Sequence, residues 1–100
     1  MKAQKAQIYN YRTWLLETNS QWLFEYFQNL LREVGFTIIQ HVEHHFQPQG
    51  YTCIWLLAES HLALHTFPEA NKTYLELSSC DEEKYHHFCQ KLVTPIQQVC

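Results

Sequence analysis

The sequence predicts an α+β fold, a two-layer sandwich in which an antiparallel sheet carries two helices on one of its faces. Three observations indicate this class. Several short runs are rich in β-branched, aromatic and other apolar residues, two longer segments repeat apolar residues at helical spacing, and turn-forming stretches join successive strands. The 100 residues contain no linker-like or repeated tract, which indicates a single domain, residues 1–100.

The first half of the chain alternates between strand and helix. Residues 8–17 form the first predicted strand, and the polar residues 18–20 can cap a helix that follows them. This helix repeats apolar side chains at helical spacing, namely Leu23, Phe27, Leu30, Leu31 and Val34. Gly35 stands where a left-handed cap would end the helix, and residues 36–46 continue as a second strand.

The middle of the chain predicts three further strands, over residues 51–58, 61–67 and 73–80. A tight turn at Glu59 and Ser60 is expected to join the first two of them. The turn-forming residues 68–71 are expected to join the second to the third.

The register of the last two of these strands indicates a functional site. If Phe67 lies opposite Lys72, the antiparallel ladder sets Ser60 opposite Ser79, with Cys80 diagonal to Ser60. A hydroxyl and a thiol would then meet at one end of a hairpin, beside a strained turn.

A second helix is expected after this hairpin, and it leads to a prediction about assembly. An acidic first turn at residues 81–83 precedes apolar-spaced side chains, and Pro95 is expected to end the helix. With both helices on one face, we expect four side chains to divide between the two faces: Trp55, Leu57, Leu62 and Leu64. The uncovered face is therefore expected to pack against a second copy of the chain, sheet against sheet.

Composition excludes several functional classes. A net charge of −3 and a pI near 6.1 argue against a nucleic-acid partner, because nothing here would neutralise a row of phosphates. No apolar run approaches the ~18 residues of a membrane span, and no signal peptide opens the chain, so we expect a cytoplasmic protein. The four cysteines, Cys53, Cys80, Cys89 and Cys100, show no disulfide-framework spacing and are expected to be free thiols.

The seven histidines do not predict a metal site. On a strand, His61 and His65 share a face but lie ~13 Å apart, too far for one zinc ion with ligand bonds of ~2 Å. No Cys-x-x-Cys or His-Glu-x-x-His motif occurs, and Ser60 lacks the Gly-x-Ser-x-Gly context of a hydrolase nucleophile. We therefore expect no metal and no serine-hydrolase triad.

Three stretches carry a resemblance to a known family. These are residues 50–52, the block Leu56-Leu-Ala-Glu-Ser-His-Leu-Ala-Leu-His-Thr-Phe-Pro-Glu69, and the following Leu77-x-x-Cys80. They resemble S-adenosylmethionine decarboxylase of the small bacterial and archaeal type. The resemblance implies a pyruvoyl-dependent decarboxylase that acts on S-adenosylmethionine and supplies the aminopropyl donor for spermidine synthesis. It also implies a homodimer of cleaved protomers.

The resemblance further implies roles for five residues in self-processing and catalysis. The chain would cut itself between Glu59 and Ser60, giving fragments 1–59 and 60–100, and Ser60 would become the covalent pyruvoyl group. His65 matches the histidine that serves the processing, and Thr52 matches a hydroxyl that assists it. Cys80 matches the proton donor of the decarboxylation.

Substrate-binding positions follow from the same resemblance. Phe46 matches an aromatic residue that stacks on adenine, Phe67 matches a wall residue, and Glu69 matches the carboxylate that binds the ribose hydroxyls. Leu15 or Leu16, from the first strand, is the nearest candidate to line the same site.

The chemistry explains why these residue types are needed, but one relation stays open. Removal of the α-proton of residue 60 requires a base that works near neutral pH, and His65 suits that task. In a regular strand, however, Ser60 and His65 point to opposite faces. Either the turn twists Ser60 around or a bulge intervenes.

Departures from the family pattern leave alternatives for the function. Residues 70–72 read Ala-Asn-Lys where an aromatic-glycine-aromatic stretch is common, and Phe67 replaces a frequent tryptophan. One alternative is a pyruvoyl-dependent decarboxylase of another amino acid, such as arginine or ornithine. Another is a non-catalytic regulatory homologue, against which the presence of Glu59, Ser60, His65 and Cys80 together argues.

Overall fold

The computed structural model describes residues 7–92 and the backbone of residues 98 and 99. In this part of the chain the strands and helices run in the order β1 Tyr9–Leu15, α1 Ser20–Val34, β2 Ile38–His45, β3 Tyr51–Leu57, β4 Ser60–Phe67, β5 Lys72–Ser79, α2 Glu82–Lys91 and β6 Gln98–Val99. The predicted succession of elements is confirmed, and β6 is an additional strand. Pro95 and Cys100 lie outside the described residues.

The strands form one antiparallel sheet in the order β2-β3-β4-β5-β1-β6. The predicted register of β4 and β5 is confirmed, because Ser60 pairs with Ser79 and Phe67 pairs with Lys72. A 3₁₀ turn at Pro68–Ala70 joins these two strands.

The tight turn between β3 and β4 lies one residue earlier than predicted. Leu57 pairs with Ser60, so the two turn residues are Ala58 and Glu59, and Ser60 already belongs to β4. The prediction of a turn at Glu59 and Ser60 was wrong by one position, because Ser60 still pairs with Leu57 and so lies in the strand and not in the turn. Glu59 takes the left-handed conformation that the turn requires, with φ of 62°.

Both ends of α1 follow from local sequence. The side chain of Asn19 accepts a hydrogen bond of 2.8 Å from the backbone N–H of Trp22, which satisfies a donor at the start of the helix. Gly35 ends the helix with φ of 104°, and its N–H reaches carbonyls of the last turn. The predicted cap residues are thereby confirmed.

One face of the sheet is buried beneath the two helices, and its composition corrects a prediction. Trp55 pairs directly with Leu62, and directly opposed residues share a face. Leu57 and Leu64 lie two residues further along the same strands, so all four side chains face the helices and are at most 1% exposed. The expectation that they divide between two faces was wrong, because the β3–β4 register puts these alternate residues of both strands on the same face.

The helices are held on that face by aromatic packing and one partly buried hydrogen bond. The ring of Phe24 stacks on Trp55 with centroids 5.6 Å apart, and the indole N–H of Trp55 donates to Gln28 at 2.9 Å. Phe27 of α1 meets Phe88 of α2 at 6.2 Å, which ties the two helices together.

The opposite side of the sheet, which we call the open face, is covered by neither helix. Its alternate positions expose large apolar side chains, including Val42 at 61%, Ile54 at 37% and Leu56 at 49%. Adjacent exposed apolar residues of this kind mark interaction surfaces. Within the described residues, none of the helices has the length and apolar character needed to cross a membrane.

Candidate active site

The first group of predicted site residues lies at one end of the β4–β5 hairpin. We call Glu59, Ser60, Ser79 and Cys80 the cleavage end. Ser60 and Ser79 are a directly opposed pair whose side chains face the helices, and they are 8% and 1% exposed. Glu59 is the exposed turn residue that precedes Ser60, and Cys80 is half-buried at the end of β5.

Hydrogen bonds fix the groups around the Glu59–Ser60 peptide bond. The hydroxyl of Ser60 donates to Ser79 Oγ at 2.8 Å. The backbone N–H of Cys80 donates to the carbonyl oxygen of Glu59 at 3.3 Å. The predicted nucleophile, Ser60, and the carbonyl group of Glu59 are therefore each held by a residue of β5 or its end.

The beginning of α2 anchors this end of the hairpin. The backbone N–H of Asp81 donates to Ser79 Oγ at 3.0 Å, and the Asp81 carboxylate accepts from the N–H of Lys84 at 3.1 Å. Asp81 is thus both the helix cap and a neighbour of the serine pair. Cys80 lies between these two anchored residues.

The second group of predicted residues lies on the other side of the sheet. We call Phe46, Thr52, His65, Phe67 and Glu69 the open-face cluster. Thr52 and His65 are a directly paired couple of β3 and β4, and Thr52 Oγ1 lies 2.8 Å from His65 Nδ1. The structure thus brings this hydroxyl and this imidazole into contact, and their shared part in self-processing stays a prediction.

Phe46 lies at the start of the β2–β3 turn, two residues beyond His44, which pairs with Thr52. The N–H of Phe46 donates to the carbonyl of Gly50 at 2.8 Å. Gly50 has φ of 112°, a left-handed backbone that favours glycine, whereas a Cβ there would meet Phe46 Cβ at an ordinary contact distance of 3.6 Å. The Phe46 ring packs edge-on against His44 at 4.5 Å and stays half exposed.

Trp14 joins the cluster although it was not predicted. Its ring lies 5.8 Å from Phe67 and 5.3 Å from Tyr74, and Lys72 Nζ lies 4.2 Å above it. The predicted candidate Leu15 is fully buried on the helix side, so it does not line the open face, whereas Leu16 is exposed. Strand alternation could have identified Trp14 from the sequence, since it directly precedes the core residue Leu15 and its side chain therefore points to the opposite face.

Within one chain the two groups do not meet. Pairing runs without a shift from Ser60 to Phe67, so neither a twist nor a bulge turns Ser60 toward His65. The five-residue separation corresponds to ~16 Å along the strand, and the two side chains point to opposite faces. Glu69, in the exposed 3₁₀ turn, is further still from Ser60.

Two side chains with strongly raised pKa values, Tyr51 and Cys53, lie in β3 on either side of Thr52 and are buried on the helix-facing side. Burial, with a hydrogen bond of 2.5 Å from the hydroxyl to Glu43, raises the pKa of Tyr51. Burial raises the pKa of the Cys53 thiol to about 12. A cavity of about 320 Å³ opens nearby on the helix side, between the start of α1 and β2, and none of the predicted site residues lines it.

Comparison with known proteins points to one family. The sequence model of S-adenosylmethionine decarboxylase matches residues 6–98. S-adenosylmethionine decarboxylase proenzyme of Prochlorococcus marinus (strain MIT 9313) is 38% identical over 52 residues, which cover 52% of this chain and 42% of the relative. The proenzyme of Methanococcus vannielii is 39% identical over 54 residues, which cover 54% of this chain and 44% of the relative.

The fold agrees with that of a solved adenosylmethionine decarboxylase. The crystal structure of adenosylmethionine decarboxylase from Aquifex aeolicus superposes with a TM-score of 0.74 at 20% identity, over 95% of this chain and 88% of that chain. This likeness establishes the fold. The stretches matched in the first two curated relatives cover 42% and 48% of their length, about half.

Proposed function

Because this chain belongs to the S-adenosylmethionine decarboxylase family, we propose that it cuts itself between Glu59 and Ser60 and then decarboxylates S-adenosylmethionine. The observation that carries the proposal is the cleavage end. A buried, hydrogen-bonded serine hydroxyl there follows a left-handed turn residue whose carbonyl oxygen is held by the Cys80 N–H.

The first step is an acyl shift within the chain. Ser60 Oγ forms a bond to the carbonyl carbon of Glu59, the bond from that carbon to the nitrogen of residue 60 breaks, and the hydroxyl proton ends on that nitrogen. Negative charge develops on the Glu59 oxygen, where the Cys80 N–H is already directed. The left-handed backbone of Glu59 stores strain of order 1 kcal/mol or more, which cleavage would release.

The second step removes the α-proton of residue 60 and expels the Glu59 carboxylate. Water then replaces the nitrogen of residue 60, ammonia leaves, and a ketone remains at the new chain end. The residues present suit a pyruvoyl group at this chain end. Position 60 is a serine whose hydroxyl is held by Ser79, and Cys80 adjoins it.

We place the base for the second step in a partner subunit. The Ser60 side chain points to the helices, so the hydrogen on its tetrahedral α-carbon is displaced toward the open face. The histidine of the same strand lies ~16 Å along it. His65 of the partner subunit, presented by a facing sheet, could reach this hydrogen.

The open face supports such a homodimer. It exposes Val42, Ile54 and Leu56 in one apolar area, and the open-face cluster adjoins that area. Two copies packed sheet to sheet about a twofold axis would use this surface on both sides. Each cleavage end would then face the partner's Thr52 and His65.

The ketone at residue 60 would supply an electron sink for the loss of carbon dioxide from the substrate. Cys80 would deliver a proton to the substrate carbon. Phe46 and Phe67, both exposed, would contact adenine, and the Glu69 carboxylate would accept hydrogen bonds from the ribose hydroxyls. The free thiols of the described residues support a reducing, cytoplasmic location.

Denaturing mass spectrometry tests the proposal. Purified wild-type protein is expected to resolve into fragments 1–59 and 60–100, the second blocked at its N-terminus, whereas Ser60→Ala stays whole. Wild-type chain that remains intact at neutral pH would refute self-cleavage and favour the regulatory alternative. Cleaved protein is then offered carboxyl-labelled S-adenosylmethionine, arginine and ornithine, and label released only from arginine or ornithine would reject the proposed substrate.

A further inference from the structure

We propose that Ser79 is a positioning residue for self-cleavage, whose hydroxyl holds Ser60 Oγ in place for its attack on the Glu59 carbonyl. This inference rests on the proposed function, since it concerns the acyl shift. Nothing in the resemblance assigns a role to Ser79. The assignment comes from the pairing and the hydrogen bonds of the two serines.

The contact between the two hydroxyls is buried and directional. Ser60 and Ser79 are a directly opposed pair on the helix-facing side, where they are 8% and 1% exposed. Ser60 Oγ donates to Ser79 Oγ at 2.8 Å. Little water reaches this pair, so Ser79 is the partner that decides which way the Ser60 hydroxyl points.

Ser79 is itself held, so it can orient its neighbour. Its oxygen accepts a hydrogen bond of 3.0 Å from the Asp81 N–H, and its hydroxyl lies 3.4 Å from the Asp81 carbonyl oxygen. Both contacts are with backbone atoms at the start of α2. Ser79 therefore transmits the position of a helix end to the nucleophile.

The same short segment also holds the group under attack. Cys80, the next residue, directs its N–H to the Glu59 carbonyl oxygen at 3.3 Å. Residues 79 and 80 thus fix the nucleophilic oxygen and the carbonyl oxygen from consecutive positions. Loss of the Ser79 hydroxyl would free the first while leaving the second in place.

Ser79 holds the proton of Ser60 without removing it. The bonds made and broken in the acyl shift stay those of Ser60 and Glu59, and the hydroxyl proton ends on the released amine. Misplacing a reacting atom by about 1 Å can cost roughly a hundredfold in rate. A loss of this order, confined to the acyl shift, is the effect expected from Ser79.

A matched pair of variants tests the hydroxyl itself. Ser79→Thr keeps a hydroxyl at this position, and Ser79→Val introduces a side chain of nearly the same shape as threonine but without the hydroxyl. The rate of appearance of fragment 60–100 is followed after synthesis of each chain, with thermal unfolding as a check of folding. We expect threonine to retain most of the wild-type rate and valine to lose roughly tenfold to a hundredfold. If valine does not fold, Ser79→Ala replaces it.

Hydroxylamine separates the two steps. It cuts an ester at position 60 and leaves a free serine N-terminus, so it reveals acyl-shifted chains that have not gone on to elimination. Slow Ser79→Val chains are expected to give no such fragment, because the ester does not form. Hydroxylamine-sensitive ester in these chains would place the defect after the acyl shift and overturn the inference.

Two controls address the neighbourhood. Ser78→Ala removes the adjacent hydroxyl, which donates to Asn10 instead, and Asp81→Ala removes the side-chain cap of α2 but keeps the backbone contacts of Ser79. Both are expected to cleave at close to the wild-type rate. Equal slowing by Asp81→Ala would mean that a loose turn, and not the Ser79 hydroxyl, sets the rate. An uncut wild type refutes the proposed function itself, whereas a cleaving wild type with fully active Ser79→Val refutes only this inference.

Discussion

The cleavage end and the open-face cluster are built in different ways. At the cleavage end, the buried serine pair, the Cys80 N–H and the start of α2 form a connected set of hydrogen bonds. In the open-face cluster, Thr52 and His65 share one contact, while Phe46, Phe67 and Glu69 remain exposed. The hydrogen bonds of the cleavage end are complete within a single chain, whereas most side chains of the open-face cluster are exposed at the surface of the chain.

This difference suggests how the two steps of processing divide. In the proposed mechanism, the acyl shift uses groups that one chain already holds together. The proposed elimination and substrate binding use groups on the opposite face, ~16 Å or more along the strand from Ser60. The proposed dimer therefore matters for the later steps, and the following experiments test that division.

The largest expected effect is all-or-none complementation between chains. His65→Ala and Ser60→Ala are each expected to stay uncut when produced alone. When differently tagged chains are produced together, the His65→Ala chain should be cut, because the partner chain supplies the imidazole to its Ser60. Gel analysis with the two tags identifies the cut chain.

Two outcomes would contradict this division of the processing steps between one chain and its partner. A His65→Ala chain that cleaves by itself at the wild-type rate would remove the need for this base. Failure of complementation in mixed dimers, shown to form by tag pull-down, would return the base to the same chain. Leu56→Glu, on the exposed apolar area, should weaken dimerisation and complementation together.

A smaller but still steep effect is expected at Cys80. Cys80→Ser keeps the backbone N–H that binds the Glu59 carbonyl, so cleavage should proceed. It replaces the thiol with a weaker acid, so turnover should fall about a hundredfold. Misdirected protonation should also leave alanine at position 60, which Edman sequencing of fragment 60–100 detects as substrate is consumed. Full activity with a blocked end would assign the proton to another donor.

Glu69 offers the converse separation of binding from cleavage. Glu69→Gln keeps the shape of the side chain but loses its charge, so KM for S-adenosylmethionine should rise about tenfold. Self-cleavage should be unaffected, because the proposed mechanism gives the Glu69 carboxylate no part in the acyl shift or the elimination. The exposed Glu83→Gln on α2 is the matched control. Equal loss of both activities in Glu69→Gln would make the residue structural.

The smallest effect concerns the pH dependence of stability that the buried thiol of Cys53, in β3, contributes. Burial raises the pKa of Cys53 to about 12, above the ordinary value of 9.0. The unfolded thiol ionises first, so the contribution of Cys53 to stability is complete below pH 9 and is lost as pH rises toward 12. Denaturant titrations should show this loss, and Cys53→Ala should lessen it. At pH 8, iodoacetamide should modify Cys80 well before Cys53.

The sequence was sufficient for most of the fold and for the pairing at the cleavage end. Turn chemistry at residues 68–71 fixed where β4 and β5 reverse, and the register of Ser60 with Ser79 followed by counting. Helix bounds followed from Asn19 and Gly35, whose roles are local. Such features depend on neighbours in the chain, which a sequence displays directly.

Features that depend on pairing between strands were harder to predict. The common face of Trp55 and Leu62 required the β3–β4 register, which a turn misplaced by one residue obscures. The Cys80 N–H contact involves backbone atoms, so the residue type gave no sign of it. In the proposed dimer, the relation of His65 to Ser60 spans two chains, and no spacing within one sequence could reveal it.

The position of the proposed cut has a consequence for refolding. β4 lies between β3 and β5, so breaking the chain at the turn before Ser60 leaves every ladder in place but places β3 and β4 on separate polypeptides. The uncut chain folds in a unimolecular reaction, with an effective concentration set by a two-residue connection. The cut protein must instead bring two fragments together, so its recovery after denaturation becomes second order and depends on dilution.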